Sequence, residues 1–458
     1  MSRKQKSYEM NMCEGSLVGK MLIFTVPLMF SGILQLLFNA ADTIVVGRYA
    51  GKEALAAVGS TSALINLLVN LFMGLSVGAN MLVSRYYGAG KEKDIGETVH
   101  TSITVAAIAG VILALIGNVF AKPLLLWMGS PEDVVDLAAL YMRIYFAGMP
   151  VTLVYNFGAA ILRAVGDTKR PLYYLSAAGV INVLLNLLFV IQLDMSVAGV
   201  ALATVLSQVV SVILLIRCMC QMEGSCRLEL KRLGIDKGKA ILLIRNGLPA
   251  GLQGTVFSLS NVLIQSSINS FGSVAMAGAS AAANVEGFTY VAMNSFQQTA
   301  LVFTSQNLGG GKFERIPKIL RNCILMVTIV GLSMGGSSYL FGKQLLGVYS
   351  TDPAVIAYGV DRMKWISLPY FLFGIMDVMV GMLRGLGYAV VPMLVSVVGV
   401  CGLRIVWIFT VFRQFPTLDV LYSSYLVTWI ITETVHMICF AVIWRRLKGK
   451  LFGESKID

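Results

Sequence analysis

Charge is scarce in this chain: 36 Lys+Arg and 24 Asp+Glu make up 13% of 458 residues. Soluble domains carry about 25%. A soluble fold with 57% hydrophobic residues would expose more apolar surface than its volume could hide. Histidine is scarcer still. His100 and His436 lie near segment ends, far apart in sequence, and carry no evident chemistry. The seven cysteines are Cys13, Cys218, Cys220, Cys226, Cys323, Cys401 and Cys439, in or beside apolar runs or in basic segments. No disulfide framework follows from them. Without a nearby histidine, Cys218, Cys220 and Cys226 do not suggest a metal site. Nor does a short apolar region with a small-residue cleavage site follow Arg3, Lys4 and Lys6, so no removable signal peptide is expected. Period-2 alternation is also missing, which excludes barrel strands of about 9–11 residues.

Long apolar runs are what the chain does have. Runs of 18 or more residues with few charges read as membrane-spanning helices. In lipid the backbone must satisfy its own hydrogen bonds, and a helix does so within one segment. Twelve segments are expected, at 20–47, 53–87, 93–121, 132–163, 168–192, 196–222, 239–270, 273–308, 313–347, 353–386, 389–413 and 418–447. The fold class is therefore all-α polytopic membrane protein. The polar stretch 223–238 is the longest interruption, giving an N-terminal six-helix bundle (1–222), a cytoplasmic linker (223–238) and a C-terminal six-helix bundle (239–458).

The net charge of +12 belongs to the loops rather than to a nucleic-acid surface. With the N-terminus cytoplasmic, nine of the 36 Lys+Arg fall on the other side: Arg48, Lys52, Lys122, Arg143, Lys343, Arg362, Lys364, Arg404 and Arg413. The other 27 are cytoplasmic, a positive-inside excess that places both termini in the cytoplasm.

The two bundles repeat. Ser84-Arg-Tyr-Tyr-Gly-Ala-Gly-Lys-Glu-Lys-Asp-Ile95 matches Ser305-Gln-Asn-Leu-Gly-Gly-Gly-Lys-Phe-Glu-Arg-Ile316, and Leu162-Arg-Ala-Val-Gly166 with Pro171 matches Leu383-Arg-Gly-Leu-Gly387 with Pro392. The offset is 221 each time, and Pro131 and Pro353 agree with it within one residue. Internal duplication is a transporter signature. Six helices per repeat start both halves on the same side. The expectation is parallel bundles related by a pseudo-twofold axis along the membrane normal, with a central cleft between them.

These motifs resemble those of the MATE (multidrug and toxic compound extrusion) family over nearly the whole chain, most closely its NorM/DinF-like bacterial members. The matching pieces are Asn39-Ala-Ala-Asp-Thr-Ile-Val-Val-Gly-Arg48, Gly88-Ala-Gly-Lys91, Leu162-Arg-Ala-Val-Gly-Asp-Thr-Lys-Arg-Pro171 and Gly199-Val-Ala-Leu-Ala-Thr204. Gly88-Ala-Gly-Lys91 is not a phosphate loop, since it lacks the earlier Gly and the following Ser or Thr. The Asp-Arg-rich loop of major facilitator proteins is absent after the second segment.

Ionisable residues inside a membrane are costly and functional by default. Asp42 is a carboxylate in an apolar helix, and the resemblance implies that it binds the coupling cation. Asn182 and Asn186 lie four apart on one helical face. With Thr204 they resemble the rest of a family sodium site, in which Asn186 stands where an acid is usual. That substitution leaves one formal negative charge in the site. Amide oxygens still ligate hard cations. In the second half Asp377 resembles the acid of NorM-like members. Their further glutamate has no counterpart near Gly254-Thr-Val-Phe-Ser258, and Glu286 is the candidate substitute. Asn156, Gln253 and Gln297 are candidates to line the substrate cleft. Gln265 and Gln298 are polar but ambiguous.

The expected function is secondary antiport, with no enzymatic chemistry, no resident cofactor and no metal beyond Na⁺ at Asp42. Amphipathic, often cationic organic compounds would leave against inward H⁺ or Na⁺, in a monomer embedded in the lipid bilayer of the cell's inner (plasma) membrane. The alternative is a flippase or exporter of a lipid-linked or polyanionic precursor.

Overall fold

A computed structural model describes residues 8–128 and 132–453; Arg3, Lys4, Lys6 and Pro131 lie outside the described residues. The described residues form helices joined by turns, with no strand. Twelve helices follow one another: α1 Leu17–Ala50, α2 Lys52–Gly88, α3 Glu92–Trp127, α4 Glu132–Ala147 with Met149–Ala164, α5 Lys169–Gln192, α6 Ser196–Gln221, α7 Lys237–Asn269, α8 Ser273–Gly309, α9 Phe313–Leu340, α10 Pro353–Trp365 with Tyr370–Gly385, α11 Val390–Phe412 and α12 Leu418–Gly453. A short helix, Gly342–Gly347, follows α9.

Eight of these are long and apolar enough to cross a membrane. The two-piece helices α4 and α10 each make a further span, bent by 47° and 48°. Both bends carry proline, Pro150 just after the first break and Pro369 within the second, where the missing N–H frees a carbonyl. α7 and α8 are longer than a span needs, at 33 and 37 residues, but more polar. They complete the twelve.

The duplication is visible in the backbone. Gly51, Gly90 and Gly166 have φ of 91°, 65° and 93°; Gly272, Gly311 and Gly387, each 221 residues on, have 94°, 69° and 94°. Left-handed φ is sterically open only to glycine without cost. The same turn chemistry is therefore reused after α1, α2 and α4 and after α7, α8 and α10. The Gly166 and Gly387 turns also share hydrogen bonds: Asp167 N–H to Leu162 O at 2.9 Å, and Tyr388 N–H to Leu383 O at 3.0 Å.

Two compact units emerge from the packing. The first comprises residues up to Thr255 with Ser305–Gly311, and the second comprises Val256–Thr304 with residues from Lys312 onward. Within the first unit, the linker 223–238 is anchored to α3. Glu229 N–H donates to His100 Nε2 at 3.0 Å, and Asp236 N–H donates to Thr101 Oγ1 at 3.1 Å. The start of α7 crosses α2 through Gly247 and Gly251 against Gly74 and Gly78, where a Cβ on any of the four would meet backbone. Small residues at such crossings let helix axes approach closely. The ends of α2 and α8 converge on one carbonyl: Ser84 Oγ and Gln306 Nε2 both donate to Ala164 O, at 3.4 and 2.7 Å. The two copies of the Ser84 and Ser305 motif thus finish at the same end of this unit, as parallel repeats require.

Candidate coupling-ion sites

The first unit gathers four of the polar residues singled out in sequence. Asp42 lies one turn before α1 widens into a π-helical turn, Val46–Ala50. Asn186 is the last residue before an equivalent turn in α5, Leu187–Gln192. Such turns are rare and recur at functional sites. Asn186 Nδ2 donates to Asp42 Oδ1 at 2.5 Å and to Asn182 Oδ1 at 3.2 Å. Asn182 Nδ2 in turn donates to Thr204 Oγ1 on α6 at 3.4 Å. Two acceptors facing Asn186 Nδ2 fix the orientation of that amide. Its Oδ1 is then left buried with no hydrogen-bond partner among the described residues.

The approach of α1 to α5 depends on Gly179. The Phe38 ring occupies the space that a Cβ there would fill, one turn ahead of both Asp42 and Asn182. Asp42 makes no ion pair with Arg48; its partner is Asn186. One carboxylate, two amide oxygens and a hydroxyl make a donor set suited to a proton or a monovalent hard cation. The unpaired Asn186 Oδ1 is a ligand position without a protein partner.

The second unit places its acids differently. Asp377 Oδ1 on α10 accepts from Gln297 Nε2 on α8 at 3.1 Å. Gln297 Oε1 accepts from Asn294 Nδ2 at 3.1 Å, and Asn294 Oδ1 accepts from Gln298 Nε2 at 3.2 Å. Asn294, which sequence reasoning missed, is thus central to this chain of amides. Its i+3 and i+4 spacing to Gln297 and Gln298 was the available signal.

Glu286, the candidate second carboxylate, is buried against Arg362, which donates from Nε to Oε1 at 3.1 Å and from Nη2 to Oε2 at 2.8 Å. Both carboxylate oxygens are occupied by a bidentate guanidinium. Asn156 spends its amide within its own helix, donating from Nδ2 to Thr152 O at 2.8 Å, and Gln253 is buried on α7. Among the described residues no group of three or more His, Cys, Asp or Glu could hold a metal ion.

The turn between α4 and α5 explains the Leu162–Pro171 motif. Asp167 Oδ1 accepts from the N–H of Lys169 at 3.2 Å and of Arg170 at 3.1 Å, and its other oxygen pairs with the Arg170 side chain. Burial nevertheless pushes the Asp167 carboxyl above its ordinary range.

Comparison with known proteins places this geometry. The family model described as MatE matches twice, over residues 27–188 and 249–410, two stretches 222 residues apart. A protein named probable multidrug resistance protein YoeA, from Bacillus subtilis (strain 168), is 30% identical over 396 residues, covering 84% of this chain and 85% of its own. A Shewanella oneidensis protein named FAD transporter is 24% identical over 335 residues, covering 71% of this chain and 73% of its own. Among solved structures, an outward-facing multidrug resistance MATE family transporter of the MOP superfamily superposes with a TM-score of 0.89 at 20% identity, covering 98% of this chain and all of the other.

Proposed function

Because this chain belongs to the MATE family, we propose that it works as a secondary antiporter, exporting amphipathic organic compounds across the plasma membrane by alternating access. It is a multi-pass membrane transporter of a multidrug-efflux family, and not an enzyme. Both termini lie in the cytoplasm, and a single chain carrying both repeats is the working unit.

One observation carries the mechanism: Asp42 is a lone carboxylate bridged to Asn186 at 2.5 Å beside the unpaired Asn186 Oδ1. We infer that the coupling ion is H⁺, taken up at Asp42. A proton needs one carboxylate, whereas Na⁺ would need Asn186 to turn an oxygen, rather than its NH₂, toward Asp42. Protonation of Asp42 removes the negative charge that Asn186 Nδ2 now faces and loosens α1 from α5. Each half-cycle would then begin with a change at one hydrogen bond. Na⁺ bound at Asp377 is the rival arrangement; there Gln297 would likewise have to turn its oxygen, rather than its NH₂, toward the carboxylate.

The test is efflux of a fluorescent cationic dye from proteoliposomes under an imposed pH or Na⁺ gradient. Gradient-dependent efflux above that of empty liposomes supports the proposal. Dye movement that is equal with and without a gradient contradicts it. The relative named an FAD transporter carries a polyanionic cargo by its name, so both cationic and anionic dyes belong in the assay.

A further inference from the structure

The second unit buries a positive charge where the first unit holds the Asn182 amide. The 222-residue separation of the two family-model matches carries Asn182 onto Arg404, one residue beyond the 221-residue offset of the shared motifs. The one-residue difference has a structural source. α11 contains a π-helical turn at Val397–Gly402, between Pro392 and Arg404, and such a turn accommodates one extra residue. Asp42 itself has no acidic counterpart: the two offsets lead to Leu263 and Ile264.

Arg404 is 4% exposed. Its Nε donates to Thr428 Oγ1 at 3.2 Å, and its guanidinium stands 3.9 Å over the Tyr425 ring. Among the described residues no carboxylate lies within ion-pair distance of it. The buried Glu286 of this unit is paired with Arg362. A guanidinium has five donors, and here one is used. The charge is thus held in place by a hydroxyl and a ring face, neither of which neutralises it. Burying an uncompensated charge is expensive, and inside a membrane it marks function by default.

The surroundings add a second feature. Trp429 packs against Tyr425, Phe373 and Tyr370 with ring centroids 5.8, 5.7 and 5.5 Å away. These rings form a largely buried aromatic cluster beside the cation, Trp429 being 3% exposed. Tyr425, partly exposed, links the two.

We propose that Arg404, with Tyr425 and Thr428, forms a site for the anionic group of a planar amphipathic ligand, a carboxylate, sulfonate or phosphate bound by the guanidinium while its apolar body lies against the partly exposed Tyr425 ring. The same chemistry fits the phosphate of an anionic lipid. The proposal rests on the transporter reading only for the ligand's role as cargo; binding itself needs no gradient.

The experiment uses the purified full chain in phosphatidylcholine nanodiscs. The probes are fluorescein, an anionic xanthene, and rhodamine 6G, its esterified cationic relative, titrated by fluorescence anisotropy. Wild type is expected to bind fluorescein saturably. Arg404→Gln should weaken that binding about tenfold or more, the worth of a hydrogen bond to a charged group, and leave rhodamine 6G unchanged. Arg404→Lys, which keeps the charge without the planar fork, should fall between. Adding phosphatidylglycerol tells the sources apart: competition assigns the site to lipid phosphate as well as to organic anions, and its absence to organic anions alone.

Absence of saturable fluorescein binding by wild type overturns the proposal, whatever the variants do. So does an Arg404→Gln variant that binds fluorescein as wild type does, or that loses both dyes equally. Fluorescein binding that depends on Arg404, with no gradient-driven efflux of any dye, would count against the transport reading and leave this site standing.

Discussion

α5 and α11 hold equivalent places in the repeat and both relax into π-helical turns, Leu187–Gln192 in one and Val397–Gly402 with Ile408–Phe412 in the other. What they carry has diverged. α5 presents two amides to a carboxylate on α1. α11 presents an arginine to a tyrosine ring and a threonine on α12. The contrast extends to the acids. Asp42 has a neutral partner and can change protonation without leaving a buried charge stranded. Glu286 is locked to Arg362 and cannot. Duplication supplied one scaffold twice, and the polar residues placed on α5 and α11 differ: amides facing a carboxylate in one, an arginine facing a ring and a hydroxyl in the other.

Substitutions in the two units should have graded effects. The largest effect is expected from Asp42→Asn. It should abolish gradient-driven efflux while the protein still inserts and stays monodisperse, because no other acid shares the site. Wild-type efflux by that variant would mean that Asp42 is structural and that the first unit has no special role.

Next is the fixed pair. Glu286→Gln leaves Arg362 buried without its counter-charge and should cost about 3–5 kcal/mol of stability, seen as a lower thermal unfolding midpoint in detergent. The paired change Glu286→Leu with Arg362→Met should recover most of it. If the single variant unfolds like wild type but loses ion coupling, Glu286 belongs with the titratable groups after all.

Gly179→Ala places a methyl against the Phe38 ring and should cost about 1–3 kcal/mol through overpacking. Efflux should fall with it, as α1 is pushed from α5. Phe38→Leu in the same chain should restore part of both, which a stability assay beside dye efflux would read.

The smallest effect is predicted for Asn156→Ala. Its amide serves only Thr152 O in its own helix, so stability should change by less than about 1 kcal/mol and efflux should stay close to wild type. A large loss would place Asn156 among the substrate contacts.

Much of this was legible in the residues. Twelve apolar runs announced twelve helices because a span needs length and little charge, and those two features are local. The 221-residue repeat was legible because turn glycines cannot be replaced without strain. Asp42, Asn182, Asn186 and Thr204 could be assembled because i and i+4 residues share a face and because the motifs matched a family. The Glu286–Arg362 pair was not legible because its members lie 76 residues apart, and a pair between distant helices leaves no local pattern. Arg362 and Arg404 entered the sequence reading only as charges on the outer side, since hydropathy counts a charge without saying whether it faces water or an aromatic ring. Asn294 was missed among polar residues that look alike until a neighbouring helix supplies the acid they serve.

The most direct test of the Asp42 site compares efflux driven by a pH gradient without Na⁺ against efflux driven by a Na⁺ gradient at fixed pH, in wild type and in Asn186→Asp. A single carboxylate at Asp42 predicts that the pH gradient alone drives wild type, and that a second acid at position 186 brings in Na⁺ dependence. If Na⁺ alone drives wild type, and Asn186→Asp leaves that dependence unchanged, the coupling ion is not held by the Asp42 site.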